Sequence, residues 1–458
     1  MQISTYKNDL KINSLKIIIM LTSIILFLGC INKKNNQDLR PNFVIIMADD
    51  LGYGDLSCYN SASSIHTPNL DLLVSEGMMF TDFHSNGSVC SPTRAALMTG
   101  KYQQRTGVEG VITAKTHRDV GLNLNEITIA EELNRQNYNC GIFGKWHLGY
   151  SKKYSPILQG FDTFEGFVSG NIDYHAHVDQ EGYLDWWKGT KINNVKGYST
   201  DLITENGIKY ITENNSKKTG KPFFLYLPHE APHYPYQRRI DKILREVGDV
   251  GATFINKDSI QSIYKEMVEV MDEGIGKIIQ TLKETEQYNN TVLIFLSDNG
   301  SNKNGSNGGL RGFKGGPYEG GSRVPAIISY PNKIKKGVVN NQTILTMDIL
   351  PTLLDFIGKK PRGEHIDGIN IKNNLLHQTK LPQRDIFFSF QNHSFIRSGK
   401  WKMINIKDQD RFELYDLSID VKETNDVGLD NNDLINDFKE KLMLWEKEVR
   451  KGVDIISN

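Results

Sequence analysis

The sequence predicts an α/β protein, with a large, mostly parallel central sheet sandwiched by helices and then a smaller C-terminal α+β subdomain containing an antiparallel sheet. Two patterns carry this. Short, continuously apolar runs such as Phe43-Val44-Ile45-Ile46 and Val292–Leu296 alternate with amphipathic helical stretches, as expected of parallel strands covered on both faces. After about residue 380 the texture changes to closely spaced short strands with turn residues between them. A chain of 458 residues, 38% of them hydrophobic, is long enough to bury a core of that size.

Residues 1–30 read as a targeting segment rather than as structure. Lys7, Lys11 and Lys16 make a basic region. The apolar run Ile17–Leu28 behind them is shorter than the ~20 residues of a spanning helix. It ends in Leu26-Phe27-Leu28-Gly29-Cys30, which resembles a bacterial lipoprotein box, a small residue directly before a cysteine that takes a diacylglycerol. An ordinary signal peptide cut near Gly29, or an uncleaved anchor, would use the same run. The resemblance implies an exported, palmitate-bearing lipoprotein held by Cys30 on a bacterial membrane, the outer membrane first, at its periplasmic or surface face. Residues 31–40 are polar and read as a tether. Residues 41–380 read as the main domain and residues 381–458 as the C-terminal subdomain.

Beyond Pro41, strands are expected at Phe43–Ile46, Cys140–Phe143, Phe223–Leu227, Val292–Leu296 and Ala326–Ser329. Helical spacing of Ile127, Ala130 and Leu133 predicts a helix within Glu126–Leu133, with Glu131 and Glu132 turned outward. The clearest helix is Ile260–Leu282, with Ile263, Met267, Val270, Met271, Ile275, Ile278 and Leu282 on one face. In the subdomain, Ile386–Phe390, Ser394–Arg397, Lys400–Ile406 and Glu413–Leu417 read as strands and Leu434–Val449 as a closing amphipathic helix.

Lys plus Arg and Asp plus Glu number 54 each. No net field draws this chain to nucleic acid, and positive charge for an anionic ligand must be gathered locally. The cysteines Cys30, Cys58, Cys90 and Cys140 fit neither a zinc spacing nor a dense disulfide framework. Cys58 and Cys140 could pair or remain small core thiols.

Two acidic clusters follow strands: Asp49-Asp50, and Asp298-Asn299 within Ser297-Asp298-Asn299-Gly300. Adjacent carboxylates in an apolar neighbourhood repel unless a cation lies between them. An all-oxygen set suits Ca²⁺, or else Mg²⁺, better than zinc. Such pairs also serve as caps and turns, and their joint meaning comes from what lies between them. That is Cys90-Ser91-Pro92-Thr93-Arg94, continued by Ala95-Ala96-Leu97-Met98-Thr99-Gly100. It is followed in order by Gly144-Lys145-Trp146-His147-Leu148-Gly149, Ala231-Pro232-His233, Leu310-Arg311-Gly312-Phe313-Lys314-Gly315 and Tyr318–Pro325.

The series resembles the type I sulfatases of the alkaline-phosphatase-like superfamily, over roughly Pro41 to Gly452. The resemblance implies that a formylglycine-generating maturation enzyme converts Cys90 to formylglycine (3-oxoalanine), whose hydrate attacks sulfate esters. It also implies roles residue by residue. Asp49, Asp50, Asp298, Asn299 and the modified Cys90 hold one divalent cation, and Arg94 secures the formylglycine. Lys145 and Lys314 bind the sulfate oxygens. His147 is the base of the elimination step, and His233 protonates the leaving oxygen. His229 lies close enough to compete for that acid role, and Arg323 reads as structural.

The segment Gly170–His177 with Tyr183–Trp187 is dense in aromatic and polar groups. It makes Asp173, His175, His177 and Trp186 candidates for sugar binding, against a plain packing role; His84 is similar. The expected substrate is a sulfated poly- or oligosaccharide: an algal galactan, an ulvan-type oligosaccharide or a host glycosaminoglycan. Two other readings compete. One is a formylglycine-using phosphodiesterase or phosphonate monoester hydrolase, and the other a non-catalytic surface glycan-binding protein that keeps the fold.

Overall fold

Every residue of strand β1 (Asn42–Ala48) is buried, because the strand lies at the centre of a sheet covered on both sides. Its alternate side chains enter different cores: Phe43, Ile45 and Met47 one, Val44, Ile46 and Ala48 the other. The computed structural model describes residues 40–251, 253 and 257–456. The expected signal segment, Cys30 lipidation and tether up to residue 39 lie outside the described residues.

The remaining strands of the large sheet's first half are β2 (Met78–Phe80), β4 (Asn139–Lys145), β5 (Thr163–Phe167), β6 (Trp187–Lys188) and β7 (Lys191–Ile192), with β3 (Phe83–His84) set apart. Then come β8 (Phe223–Pro228), β9 (Thr291–Ser297), β10 (Ala326–Ser329) and β11 (Val338–Asn340), while β12 (Ile344–Leu345) pairs with β3. The ten-stranded order is β11-β2-β10-β9-β1-β8-β4-β5-β6-β7. Its central five strands, β9-β1-β8-β4-β5, are mutually parallel. The expected strand Ala326–Ser329 is present but antiparallel to β9, and β6 runs antiparallel to β5.

Helices α1 (Pro68–Glu76), α4 (Ser199–Glu213) and α5 (Ile260–Glu284) cover one face, and α2 (Cys90–Thr99), α3 (Ile129–Arg135) and α6 (Ile349–Phe356) the other. Helix α3 begins three residues later than its apolar spacing suggests. Thr128 caps it: its hydroxyl accepts from Glu131 N at 3.1 Å while the Glu131 carboxylate accepts from Thr128 N at 2.7 Å. Glu132, expected outward, is buried, because the stretch after α6 folds over it and Arg362 donates to it through N at 2.7 Å and Nε at 2.9 Å.

Strands β13 (Asp385–Phe390), β14 (His393–Ser398), β15 (Trp401–Ile406) and β16 (Arg411–Asp416) form the antiparallel sheet, with α7 (Asn432–Val449) packed on it. Ile435, Phe438, Leu442 and Trp445 of α7 share one core with Ile396, Met403 and Leu414 of the sheet, and with Ala96 of α2. The small sheet is thereby fused to the helix that starts at Cys90. Cys58 and Cys140 are free thiols.

Candidate active site

Four neighbouring parallel strands deliver their carboxyl ends to one place, where open α/β sheets gather ligands. Asp49 and Asp50 follow β1, Asp298 and Asn299 follow β9, Lys145 ends β4, and His229 to His233 follow β8. Helix α2 begins at Cys90 and aims its first turn at the same place.

The charges interlock. Arg94, fully buried, donates from one Nη to Asp298 Oδ2 at 2.8 Å and Asp49 Oδ2 at 3.3 Å, and from the other to the Lys145 carbonyl at 3.0 Å. The Lys145 ammonium pairs with Asp49 Oδ2, and that of Lys314 with Asp50 Oδ1 at 2.5 Å. Asn299 Nδ2 donates to Asp50 Oδ1 at 2.8 Å, and Asp50 N to Asp298 Oδ1 at 3.2 Å. His233 Nε2 lies 3.7 Å from Asp50 Oδ2. Asp50 and His147 both adopt left-handed backbone, φ 64° and 56°, a conformation that non-glycine residues hold only where the surroundings enforce it.

Electrostatics follow from this packing. Burial opposes the Asp50 charge, yet Lys314 and His233 hold its carboxyl well below the usual range. Burial and the neighbouring Asp49 raise Asp298. Burial pushes the Cys90 thiol up in spite of Lys145 and Lys314, so the unmodified cysteine is a weak nucleophile here. Burial, Lys145 and Arg94 hold His147 well below its ordinary value. His147 therefore stays neutral: Nε2–H donates to the Ile112 carbonyl at 2.9 Å, and Nδ1 has no partner among the described residues. His233 is pushed down to about 3 by burial and Lys314, and its Nδ1–H donates to the Tyr234 carbonyl.

The donor set fits a hard divalent cation. Asp49 Oδ1 and Asn299 Oδ1 are buried with no hydrogen-bond partner among the described residues, a costly state for polar oxygens unless something positive sits beside them. Every donor in the set is oxygen, which favours Ca²⁺ or Mg²⁺.

A cavity of about 300 Å³ opens from this cluster, and Cys90, His147, His233 and Lys314 all line it. His229 does not: it is buried, with its backbone N bonded to the Met47 carbonyl. Arg323 is structural, bound to Glu319 and Asp82, and His84 bonds Asp82 within the same buried network.

The four candidates for sugar binding lie elsewhere. Asp173 is fully buried and accepts from the backbone N of His175, Ala176, Leu244 and Arg245. His175 bonds the Arg238 carbonyl. His177 and Trp186 are buried against each other, ring centroids 4.7 Å apart. None of the four lines the cavity; the polar and aromatic density of this segment builds its own core. The cavity wall is instead Ser169, Asn171, Asp179 and Glu181, with Lys115 and Thr116 from another loop. Asn171 sits inside the flagged segment, but nothing in its sequence neighbourhood marks it above Asp173.

The family model described as "Sulfatase" matches residues 41–359, and the one described as "N-sulphoglucosamine sulphohydrolase, C-terminal" matches residues 314–448. The chain is 33% identical over 373 residues to N-acetylgalactosamine-6-sulfatase of Mus musculus, covering 76% of this chain and 68% of that enzyme. It is 31% identical over 402 residues to arylsulfatase A of Homo sapiens, covering 79% and 74%. Among solved structures it resembles Ps i-CgsB in complex with k-i-k-neocarrahexaose, with TM-score 0.81 and 29% identity over 90% of this chain and 94% of that one.

Proposed function

Because this chain belongs to the sulfatase family and is a sulfuric ester hydrolase, we propose that it desulfates a poly- or oligosaccharide, with residue 90 as formylglycine beside one divalent cation, Ca²⁺ before Mg²⁺. One observation carries the reading: buried oxygens without partners, two ammonium groups and two neutral histidines converge on Cys90 at the mouth of a single cavity. Resemblance to a structure in complex with k-i-k-neocarrahexaose supports the carbohydrate part.

Asp49, Asp50, Asp298, Asn299 and the residue-90 side chain would hold the cation, which when bound polarises sulfuryl oxygens and acidifies a neighbouring hydroxyl. Lys145 and Lys314 offset negative charge on the sulfate in a buried setting where water screens it little. Arg94 ties both acidic clusters to the strand end that carries Lys145. A hydroxyl of hydrated residue 90 loses its proton to solvent and attacks sulfur as the sulfur–oxygen bond to the sugar breaks. The sugar oxygen departs with a proton from His233 Nε2, taken up from water once the substrate is bound while Nδ1–H stays on the Tyr234 carbonyl. Burial first and then Lys314 and Lys145 keep that imidazole neutral in the free protein, and the ester's negative charge counters the two lysines. His147 Nδ1, free because Nε2 holds the proton, then takes a proton from the second hydroxyl as sulfate leaves and the aldehyde reforms. The reading includes export, lipidation at Cys30 on a bacterial membrane, and a maturation enzyme in the host that supplies the oxidant.

The test uses protein from its native host. The peptide containing Cys90 should be lighter by about 18 Da, sulfur replaced by oxygen with loss of two hydrogens. Sulfate should be released from sulfated oligosaccharides, and Cys90→Ala should abolish the release. Faster turnover of a phosphodiester or phosphonate run alongside would move the assignment to those esters. An unmodified thiol and no released sulfate would sink it.

A further inference from the structure

The sulfate end of the cavity leaves open which sugar enters, and that question turns on the wall built by residues 169–171 and 179–181. Asn171 lines the cavity and is 7% exposed. Its Oδ1 accepts from both Nη atoms of Arg245, at 3.4 and 3.3 Å. A guanidinium only donates, so the amide has one permitted orientation, and its Nδ2 is the edge turned away from Arg245. That Nδ2 has no hydrogen-bond partner among the described residues. Arg245 is itself fixed: it is 1% exposed, donates to the Val178 carbonyl at 2.9 Å, and its backbone N is held by Asp173.

Asp179 lines the same wall at 3% exposure. Its Oδ1 accepts from the backbone N of Glu181 and Tyr183, both at 2.9 Å, and its Oδ2 has no hydrogen-bond partner among the described residues. An antiparallel bridge between Ile172 and Asp179 joins the two segments, and Glu230 Oε1 accepts from Ile172 N at 2.7 Å. The wall is thus a preset donor beside a preset acceptor, with the Glu181 carboxylate adding negative charge.

Resting on the sulfatase reading, we propose that Asn171 and Asp179 read the sugar next to the cleaved sulfate. They select a residue that presents neutral hydroxyls to this wall and reject one that presents a second sulfate or a carboxylate there. A hydroxyl both accepts from the amide and donates to the carboxylate, whereas an anionic substituent at this spot meets the Asp179 and Glu181 carboxylates, offset only in part by Lys115 of the same cavity and by Arg118, which acts on Asp179. Arg245 and Asp173 are positioning residues, since they act through Asn171.

The experiment compares kcat/KM for monosulfated galactose and glucosamine with that for 4-nitrophenyl sulfate, which has no sugar hydroxyls. Asn171→Ala and Asn171→Asp should each lower the sugar-to-aryl ratio about tenfold, the worth of roughly one hydrogen bond to a bound group, mainly through KM. Asn171→Asp keeps a partner for Arg245, so its fold is secure even if the alanine variant is unstable. Asp179→Asn should raise turnover of disulfated relative to monosulfated galactose. An unchanged ratio, or equal losses on sugar and aryl substrates, overturns the proposal while leaving the sulfatase reading intact. Absence of turnover on every sulfate overturns that reading instead. Calorimetry of the same sugars on Cys90→Ala protein then decides this one, which falls if Asn171→Asp binds them as tightly as its parent.

Discussion

Asp49 offers one oxygen to Arg94 and Lys145, while the other is buried with no partner among the described residues, and that asymmetry predicts a cation-dependent stability. Adding Ca²⁺ at about 100 times its Kd should stabilise the fold by about 2.7 kcal/mol, seen as a rise in Tm that a chelator reverses. Asp49→Asn should lose most of that rise; an undiminished one would take Asp49 out of the ligand set. A second titratable group behaves differently. Asp55 accepts from Tyr264 Oη at 2.6 Å, Gly52 N at 2.7 Å and Ser306 N at 2.8 Å, yet burial pushes its carboxyl up to about 6 from 3.8. Raised in this way, it contributes stability that is complete below about pH 3.8 and lost as pH rises through about 6. The margin of wild type over Asp55→Asn in urea unfolding should therefore shrink by about 2 kcal/mol between about pH 4 and about pH 7; a constant margin would contradict it. Among residues, Cys90, Lys145, His147, His233 and Lys314 were legible because each sits in a local motif with its own spacing. Asn171 was not, because what makes it a fixed donor is Arg245, 74 residues further along the chain.

Strand β5 escaped the sequence reading because Thr163-Phe164-Glu165-Gly166-Phe167 is short and interrupted by a glycine. The glycine is the reason the strand works. Gly166 faces Gly144 in the parallel register, and a Cβ on Gly166 would come within 2.2 Å of the Gly144 carbonyl. On Gly144, at φ +122°, a Cβ would come within 2.1 Å of the Pro228 carbonyl. The glycine pair lets β8, β4 and β5 close up immediately before Lys145. Gly144→Ala should cost at least about 3 kcal/mol and depress sulfate release in whatever fraction still folds, measured by chemical unfolding beside the assay. A neutral effect would mean that the strands can part without moving the site. Helix α5, by contrast, was readable almost to its ends, since a long one-sided apolar stripe is set by local sequence alone.

The C-terminal sheet reaches back to the loop that bears Lys314. His393 Nε2–H donates to the Gly315 carbonyl at 2.8 Å, and Arg311 donates to Tyr415 Oη at 2.9 Å and the Glu423 carbonyl at 2.7 Å. Lys402, fully buried, bridges Glu319 and Glu423 at 2.9 and 2.8 Å. The loop bearing Lys314 is therefore braced by strands well beyond it in sequence. His393→Ala, which removes about 1 kcal/mol of that bracing, should lower kcat several-fold with little change in Tm. An equal fall in both would make the contact purely structural. The chain by itself determined the layered α/β architecture, the order of its central strands' apolar runs, the antiparallel C-terminal sheet and the chemistry-bearing motifs, because apolar periodicity and clustered reactive side chains are local properties. Only the tertiary structure decided that β10 turns antiparallel and that Asp173, His175, His177 and Trp186 pack inward while Asn171 and Asp179 face the cavity. Those outcomes depend on which distant groups fill each side chain's surroundings, and hydrogen-bond partners tens of residues away leave no trace in local sequence.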